Sequence, residues 1–431
     1  MATATLVTDH TTSEYTTVDD PIDKQKVKRS GDNVSKQDVE LVVKRVFGPS
    51  TRLVDHHLRS YSMEKIGFMG THQQLIVTVE RENGHKEVCT FFLKGIPYEL
   101  EEQASVIEES RAFYKEAHFY EYMVPELVKS IKDASWVPRC YLIKDNVLLM
   151  EDLKSMNFVM RDKPLDTATL KSALTALGKM HAASVLAEKR MGKSFFELYP
   201  DVFTEMLFAE KGRLHNLWFK NGIQAAATVA KSLGLDHTCV PKVCQKIFEA
   251  LVASKKWRNV VCHGDQWSNN LLFDESQPLP RCRLVDFQTI RYVPPTADLA
   301  QLFYLTMEKT VREANEEGLL GHYHQVFCAT LMANDEEVSR PSFEEIVREY
   351  EDMRIFGVVS SVVYCPVILL DSSLCAEWTK DSDNYIKFMF MDRSDVILDY
   401  MQRNSVYKKI VSESIGELIQ RSKKLLEQKF V

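Results

Sequence analysis

The chain has 431 residues, 45% of them apolar and 27% charged, with a formal net charge of −7. This is the composition of an ordinary globular protein, long enough to bury a sizeable core and to form two lobes. The acidic balance leaves no basic footprint for nucleic acid, and the short run Lys24, Lys26, Lys28 and Arg29 reads as a solvated segment.

Nine cysteines, an odd number with no C-x-x-C pair, read as reduced thiols of a cytoplasmic protein and not as disulfides or metal ligands. The N-terminal segment has neither a basic start nor an apolar stretch, so it predicts no secretory signal. Phe356 to Leu370, the longest apolar run, contains Pro366 and is too short for a membrane span. It predicts a buried core helix.

Residues 1–34 are rich in Thr, Ser, Asp and Lys and predict a disordered tail, because they offer too little apolar surface to offset ordering entropy. Ser35 with Asp38 has the spacing of a helix cap, and Val39, Val42, Val43, Val46 and Phe47 form the apolar face that follows. Leu75, Val77 and Val79 alternate with polar residues, Asn83-Gly84 marks a tight turn, and Val88 to Leu93 forms a second strand. The hairpin ends at Lys94, placed as a lysine that contacts the α- and β-phosphates of a nucleotide. Gly67 and Gly70 upstream could let backbone amides approach phosphates, but GFMGTHQ is not a G-x-G-x-x-G loop.

Glu101 to Met123 predicts a helix ending before Pro125, with Glu116 on it as the partner of Lys94. Cys140 to Ile143 and Val147 to Met150 predict a further hairpin, after which Glu151-Asp152-Leu153 leaves the first lobe. There the Glu151 carbonyl and the Leu153 amide are candidates to bind adenine. The expected division is therefore a small β-rich N-terminal lobe over 35–150 and a hinge with a larger, mainly helical C-terminal lobe over 151–431. Leu170, Leu174, Leu177 and His181 share one face, which makes His181 a core histidine. Further helices are expected over Phe343 to Leu370, Tyr385 to Met401 and Ile415 to Phe430.

The chemistry concentrates between Val261 and Phe287. His263, Asp265 and Asn270 fit H-x-D-x-x-x-x-N, in which the aspartate meets the acceptor hydroxyl and the asparagine holds a magnesium ion. Leu271 to Phe273 and Leu284-Val285 predict two short strands joined by a polar turn, a hairpin that brings Asn270 to Asp286, the second metal ligand. Two hard oxygen ligands at adjacent strand ends suit Mg2+ with nucleotide phosphates and water. Only about a dozen residues separate Asp286 from the next helix, too few for the peptide-docking segment of a protein kinase, so a small-molecule acceptor is expected. Asp298 on that helix is read as a cap or, preferably, as a brace for the catalytic loop.

With VCHGDQWSNNLLF, LVDFQ and PPTADLAQLFY in view, the chain resembles the ecdysteroid kinase-like family, related to choline kinases and aminoglycoside phosphotransferases. The resemblance runs from about residue 50 to 420 and includes Phe92-Leu93-Lys94, Lys115-Glu116-Ala117 and Met150-Glu151-Asp152-Leu153; Gln266 departs from the leucine commonest in the family. It implies an α+β, two-lobed protein-kinase-like fold and transfer of the γ-phosphoryl group of ATP to a hydroxyl of a small molecule, an ecdysteroid or a xenobiotic alcohol. Two other readings stay open: a catalytically silent small-molecule carrier, suggested by the poor glycine loop, and a choline or ethanolamine kinase, for which Trp378 beside Glu377 could help to form a cation pocket.

Overall fold

The computed structural model describes residues 34–61, 70–144, 146–210, 214–276, 280–378 and 380–428. The predicted tail up to residue 33, Gly67 and Asp145 lie outside them. The chain divides into two compact units, one comprising residues 34–108 and 138–155, the other residues 109–137 and the chain from Met156 onward.

The first unit is a five-stranded sheet with helix α1 (Lys36–Phe47). Its strands are β1 (Arg52–Ser60), β2 (Thr71–Glu80), β3 (Lys86–Gly95), β4 (Cys140–Lys144) and β5 (Val147–Glu151), in spatial order β1-β2-β3-β5-β4 with every pairing antiparallel. Helix α1 opens with the expected capping box between Ser35 and Asp38. Its Val39, Val42 and Val43 pack with Leu75, Val77, Val79, Phe91 and Leu93, the alternating residues of β2 and β3, as one core. Gly84 in the β2–β3 turn sits at φ +77°, a conformation that glycine adopts without strain.

The second unit is mainly helical. The expected helix over 101–123 is realised in pieces: α2 (Glu101–Ser110), α3 (Ala112–His118), a π-helical turn over Phe119–Met123, and α4 (Val124–Lys129). Arg111 at φ 55° breaks the first two apart, and Pro125 does not end the segment because it occupies the first turn of α4, where no N–H is needed. The division between the two units falls inside α2.

After the short strand β6 (Phe158–Met160) come α5 (Thr167–Met191), α6 (Phe195–Leu198), α7 (Leu214–Ser232), α8 (Cys239–Gln245) and α9 (Ile247–Ala250). Strands β7 (Val260–Cys262), β8 (Leu271–Asp274), β9 (Arg281–Leu284) and β10 (Arg291–Val293) carry the central stretch. They are followed by α10 (Thr296–Thr306), α11 (Lys309–Asn334), α12 (Phe343–Ile368), α13 (Ser372–Trp378), α14 (Ser382–Phe390), α15 (Ser394–Arg403) and α16 (Ser405–Glu427).

The apolar run around Phe356 is the buried half of α12, as expected. Among the described residues no helix is long and apolar enough to cross a membrane. The single helix expected over 385–401 is two, α14 and α15, separated by a turn in which Asp392 accepts the Ser394 N–H and Arg393 is buried. No disulfide joins the nine cysteines among the described residues. The α+β composition, with a small antiparallel sheet and a larger helical part, is the one the sequence predicts.

Candidate active site

The stretch from β7 to β10 is built as two small sheets. β7 pairs with β10 in register Cys262↔Arg291, and β8 lies between β6 and β9, with Leu271 opposite Leu284. This register places Asn270, just before β8, beside the residues that follow β9, and the Val285 N–H donates to the Asn270 carbonyl at 3.1 Å. The expected hairpin therefore does bring the Asn270 and Asp286 ends of the two strands together. Asp286 itself adopts a left-handed conformation (φ 68°, ψ 68°), uncommon for a residue with a Cβ and held by its surroundings.

Those surroundings are substantial. The next N–H, of Phe287, donates to Glu116 Oε1 at 3.2 Å. The fully buried Phe287 ring stacks on Phe119 at 4.2 Å and meets His263 at 4.7 Å and Trp136 at 6.3 Å. Glu116 from α3 thus fixes the turn that carries Asp286.

The loop from His263 to Asn270 is positioned by its own backbone. Asp298, in the first turn of α10 and buried, accepts the N–H groups of His263 and Gly264, both at 2.8 Å, and lies 3.1 Å from His181 Nε2. Asp298 is thus the brace, not the cap, and His181, with Tyr323 at 2.9 Å on its other nitrogen, is the core histidine the sequence predicts. Burial would raise the Asp298 carboxyl, but His181 and these hydrogen bonds hold it below its ordinary value.

The His263 ring spans the loop. Its Nε2 lies 2.8 Å from the Val285 carbonyl and its Nδ1 accepts from the Asp265 N–H at 3.3 Å, which assigns the Nε2–H tautomer. Gly264 is at φ +81°, and a Cβ there would meet the Thr289 carbonyl oxygen at 2.3 Å, so the loop requires glycine at this point. Arg291, buried on β10, donates to the Gly264 carbonyl and makes two bonds to Glu205, at 2.6 and 2.8 Å. Burial would raise Glu205, yet the guanidinium holds it at about 2.

These supports aim the Asp265 carboxylate. Its Oδ2 accepts from Asn270 Nδ2 at 2.9 Å and from Trp267 Nε1 at 3.2 Å, while its buried Oδ1 has no hydrogen-bond partner among the described residues. Burial, then the neighbouring Asp286 carboxylate, push the Asp265 carboxyl up to about 7, against the opposing effects of Arg291, Tyr364 and Asn270. Asn270 Nδ2 also donates to the Asp265 carbonyl at 2.9 Å. Both amide hydrogens are then used, and the Oδ1 of Asn270 is the atom left to meet a cation. It and the Asp286 carboxylate, at adjacent strand ends, are hard oxygens, the donor type that suits magnesium.

Lys94, Glu151 and Leu153 belong to the sheet unit. Lys94 is buried on β3, opposite His72 and Leu148. Gly70, at φ +138°, lies beside it, and a Cβ there would make ordinary contact with Lys94 Cε at 3.6 Å. Glu151 ends β5, its N–H donating to the Arg139 carbonyl at 2.9 Å, and Leu153 opens the 3-10 turn that follows. Between them Asp152, whose side chain carried no expected role, accepts from Tyr61 at 3.0 Å, Thr90 at 2.6 Å and Gln74. It pins this connection to β2 and β3.

Sequence reasoning missed several contributors. Arg291 and Glu205 are 86 residues apart, and no local pattern joins them. Lys163 and Tyr364 converge on Asp265 from the segment before α5 and from α12, and nothing in their neighbours' sequence marks them. Trp267 stands inside the loop motif, but nothing in the motif marks it as a hydrogen-bond donor to Asp265. Trp378, read as a possible cation contact, stacks on Phe388 at 5.7 Å.

No curated protein is matched. Among solved structures, the chain is similar to an ethanolamine kinase of Plasmodium vivax, with 12% identity over 83% of this chain and 84% of that one and a TM-score of 0.40. It is also similar to the amicoumacin kinase hAmiN in complex with AMP-PNP, Ca2+ and Ami, with 10% identity over 84% and 90% and a TM-score of 0.42. A microcompartment-associated aminopropanol kinase gives 13% identity over 88% and 95% and a TM-score of 0.36. The family model of the ecdysteroid kinase-like family matches residues 67–335, well over half of the sequence, and the chain belongs to that family.

Proposed function

We propose that the protein is an ATP-dependent small-molecule kinase that transfers the γ-phosphoryl group to a hydroxyl of its acceptor. The observation that carries this reading is the aim of Asp265: one oxygen is held by Asn270 and Trp267, and the other is buried and unpartnered. A carboxylate fixed in this way is ready to receive the hydrogen of an acceptor hydroxyl and to turn its oxygen toward phosphorus. A carboxyl near 7 is also suited to general-base catalysis around neutral pH, which contributes on the order of 10² to 10⁴ in rate.

Asn270 and Asp286 would hold Mg2+, which neutralises charge on the transferring phosphates when bound. Lys94, paired with Glu116, would steady the α- and β-phosphates, with the Glu151 carbonyl and the Leu153 amide receiving adenine. Membership of the ecdysteroid kinase-like family supports phosphotransfer as the reaction class, and an ecdysteroid or a xenobiotic alcohol as the acceptor. The cytoplasm is the compartment in which we place it.

The test is transfer of labelled γ-phosphate from Mg-ATP to a panel of ecdysteroids, choline, ethanolamine and plant-type alcohols. A phosphorylated product that disappears in Asp265→Asn and in Asp286→Ala is expected. Undiminished transfer by either variant would sink the assignment of that residue. Absence of nucleotide binding, together with tight binding of an apolar ligand, would instead mark a silent carrier.

A further inference from the structure

Beside Asp265, three polar atoms from three parts of the helical unit are sealed from solvent with no hydrogen-bond partner among the described residues: Asp265 Oδ1, Lys163 Nζ and Tyr364 OH. A buried polar group left unpaired keeps its full desolvation penalty, so the cluster points to a ligand that supplies the missing partners. Lys163 lies in the segment between β6 and α5, which is tied down by the Leu165 N–H on the Thr306 carbonyl at 2.9 Å and by the cap of Asp166 on α5. Its ammonium stands 5.0 Å from the centre of the Trp267 ring, whose own N–H bonds Asp265. The charge of Lys163 acts on Asp265 and on the buried Cys365 thiol. Tyr364, next to Cys365 on α12, faces Asp265, and burial together with the Asp265 charge raises its phenol well above the ordinary value.

We propose that Lys163 is a specificity-determining residue of the acceptor site, where with Tyr364 it holds an oxygen of the acceptor beside Asp265 and turns away acceptors that place an ammonium group there. This rests on the phosphotransfer reading for the name of the site, but not for its chemistry. The ammonium brings donors only, so it satisfies a hydroxyl, carbonyl or carboxylate oxygen and opposes a cation. The Trp267 face, the natural seat for a trimethylammonium or aminium group, is already taken by the protein's own cation. Burial shifts Lys163 down to about 8, which still leaves it mainly charged at neutral pH.

The experiment is ligand-observed NMR on the full chain with two probes of the same shape: choline, and its neutral isostere in which a tert-butyl group replaces the trimethylammonium. Like charges forced together cost enough that the wild type should prefer the neutral alcohol by at least about tenfold. Lys163→Met should bring the two within about threefold, and Lys163→Arg should keep the preference. Should the Met variant not fold, judged by its urea midpoint, Lys163→Gln takes its place. Equal affinity for the two probes, binding of neither, or a preference that survives loss of the amine would each overturn the proposal. A Met variant that instead loses Mg-ATP affinity with its choice between the alcohols intact would assign Lys163 to the nucleotide and overturn it too. Because the readout is binding, failure of phosphoryl transfer would refute the proposed function and leave the test of Lys163 standing.

Discussion

Asp298 donates no atom to the proposed chemistry, yet the position of Asp265 depends on it. Its two oxygens take the N–H groups of His263 and Gly264, the two residues before Asp265, and Oδ2 also meets His181. An amide at this position keeps one accepting oxygen and turns an NH2 group against a backbone N–H. Asp298→Asn should therefore let the loop shift while most of the helical unit stays folded. A misplacement of about 1 Å costs on the order of 10²-fold in rate, so a fall of that size in kcat with the acceptor KM changed less than about threefold is expected. Steady-state kinetics beside a urea titration decides it: an unchanged kcat would mean that Arg291 and Gln301, which also bond this loop, are enough to hold it.

At the scale of elements, what the sequence made legible was whatever repeats locally. The β2–β3 and β4–β5 hairpins and the β8–β9 pair follow from alternation and turn residues, and α1 from its capping box. β1 was not seen, because Arg52, Asp55, His56, His57 and Arg59 break the apolar alternation of a strand that has only one neighbour. β6, β7 and β10 have three residues each and exist only through partners far along the chain. The same holds within the site: Asp265, Asn270 and Asp286 are close in sequence and could be named, whereas Lys163, Glu205 and Tyr364 arrive through tertiary packing.

That packing has a tight point at Gly357. A Cβ there would stand 2.5 Å from Tyr304 Cδ2 and 2.6 Å from the Ala300 carbonyl oxygen, so glycine lets α12 lie directly on α10. Gly357→Ala should destabilise the helical unit by about 1–3 kcal/mol through overpacking, despite the better helix propensity of alanine. An urea midpoint equal to or above that of wild type would show that the two helices can separate at no cost.

Across the whole molecule the buried acids fall into two groups with opposite pH signatures. Glu205, set against Arg291, is held at about 2, so it stabilises the fold above the ordinary carboxylate range and loses that contribution as pH falls toward 2. Glu188, Asp265 and Glu349 are pushed up to about 7, each chiefly by burial. The folded state keeps their protons through the interval from the ordinary value to about 7, where the unfolded chain has released them. Stability therefore falls as pH rises through that interval and levels off above it. His118 and His322, lowered by burial, act in the opposite sense near 6.5, so the carboxyl contribution is best read as a difference between variants.

Glu349 suits this test because it stands outside the proposed chemistry. Its Oε1 accepts the Thr296 N–H at 3.3 Å and the Thr296 hydroxyl at 2.9 Å, an arrangement that glutamine can keep. Glu349→Gln should leave the stability gap to wild type at pH 8 more favourable to the variant than at pH 5, by on the order of 2–3 kcal/mol. All five tryptophans, Trp136, Trp218, Trp257, Trp267 and Trp378, lie in the helical unit, so urea titrations followed by tryptophan fluorescence report on the unit that holds Glu349. A gap that does not change between the two pH values would mean that Glu349 is ionised in the folded state and that Thr296 compensates its burial.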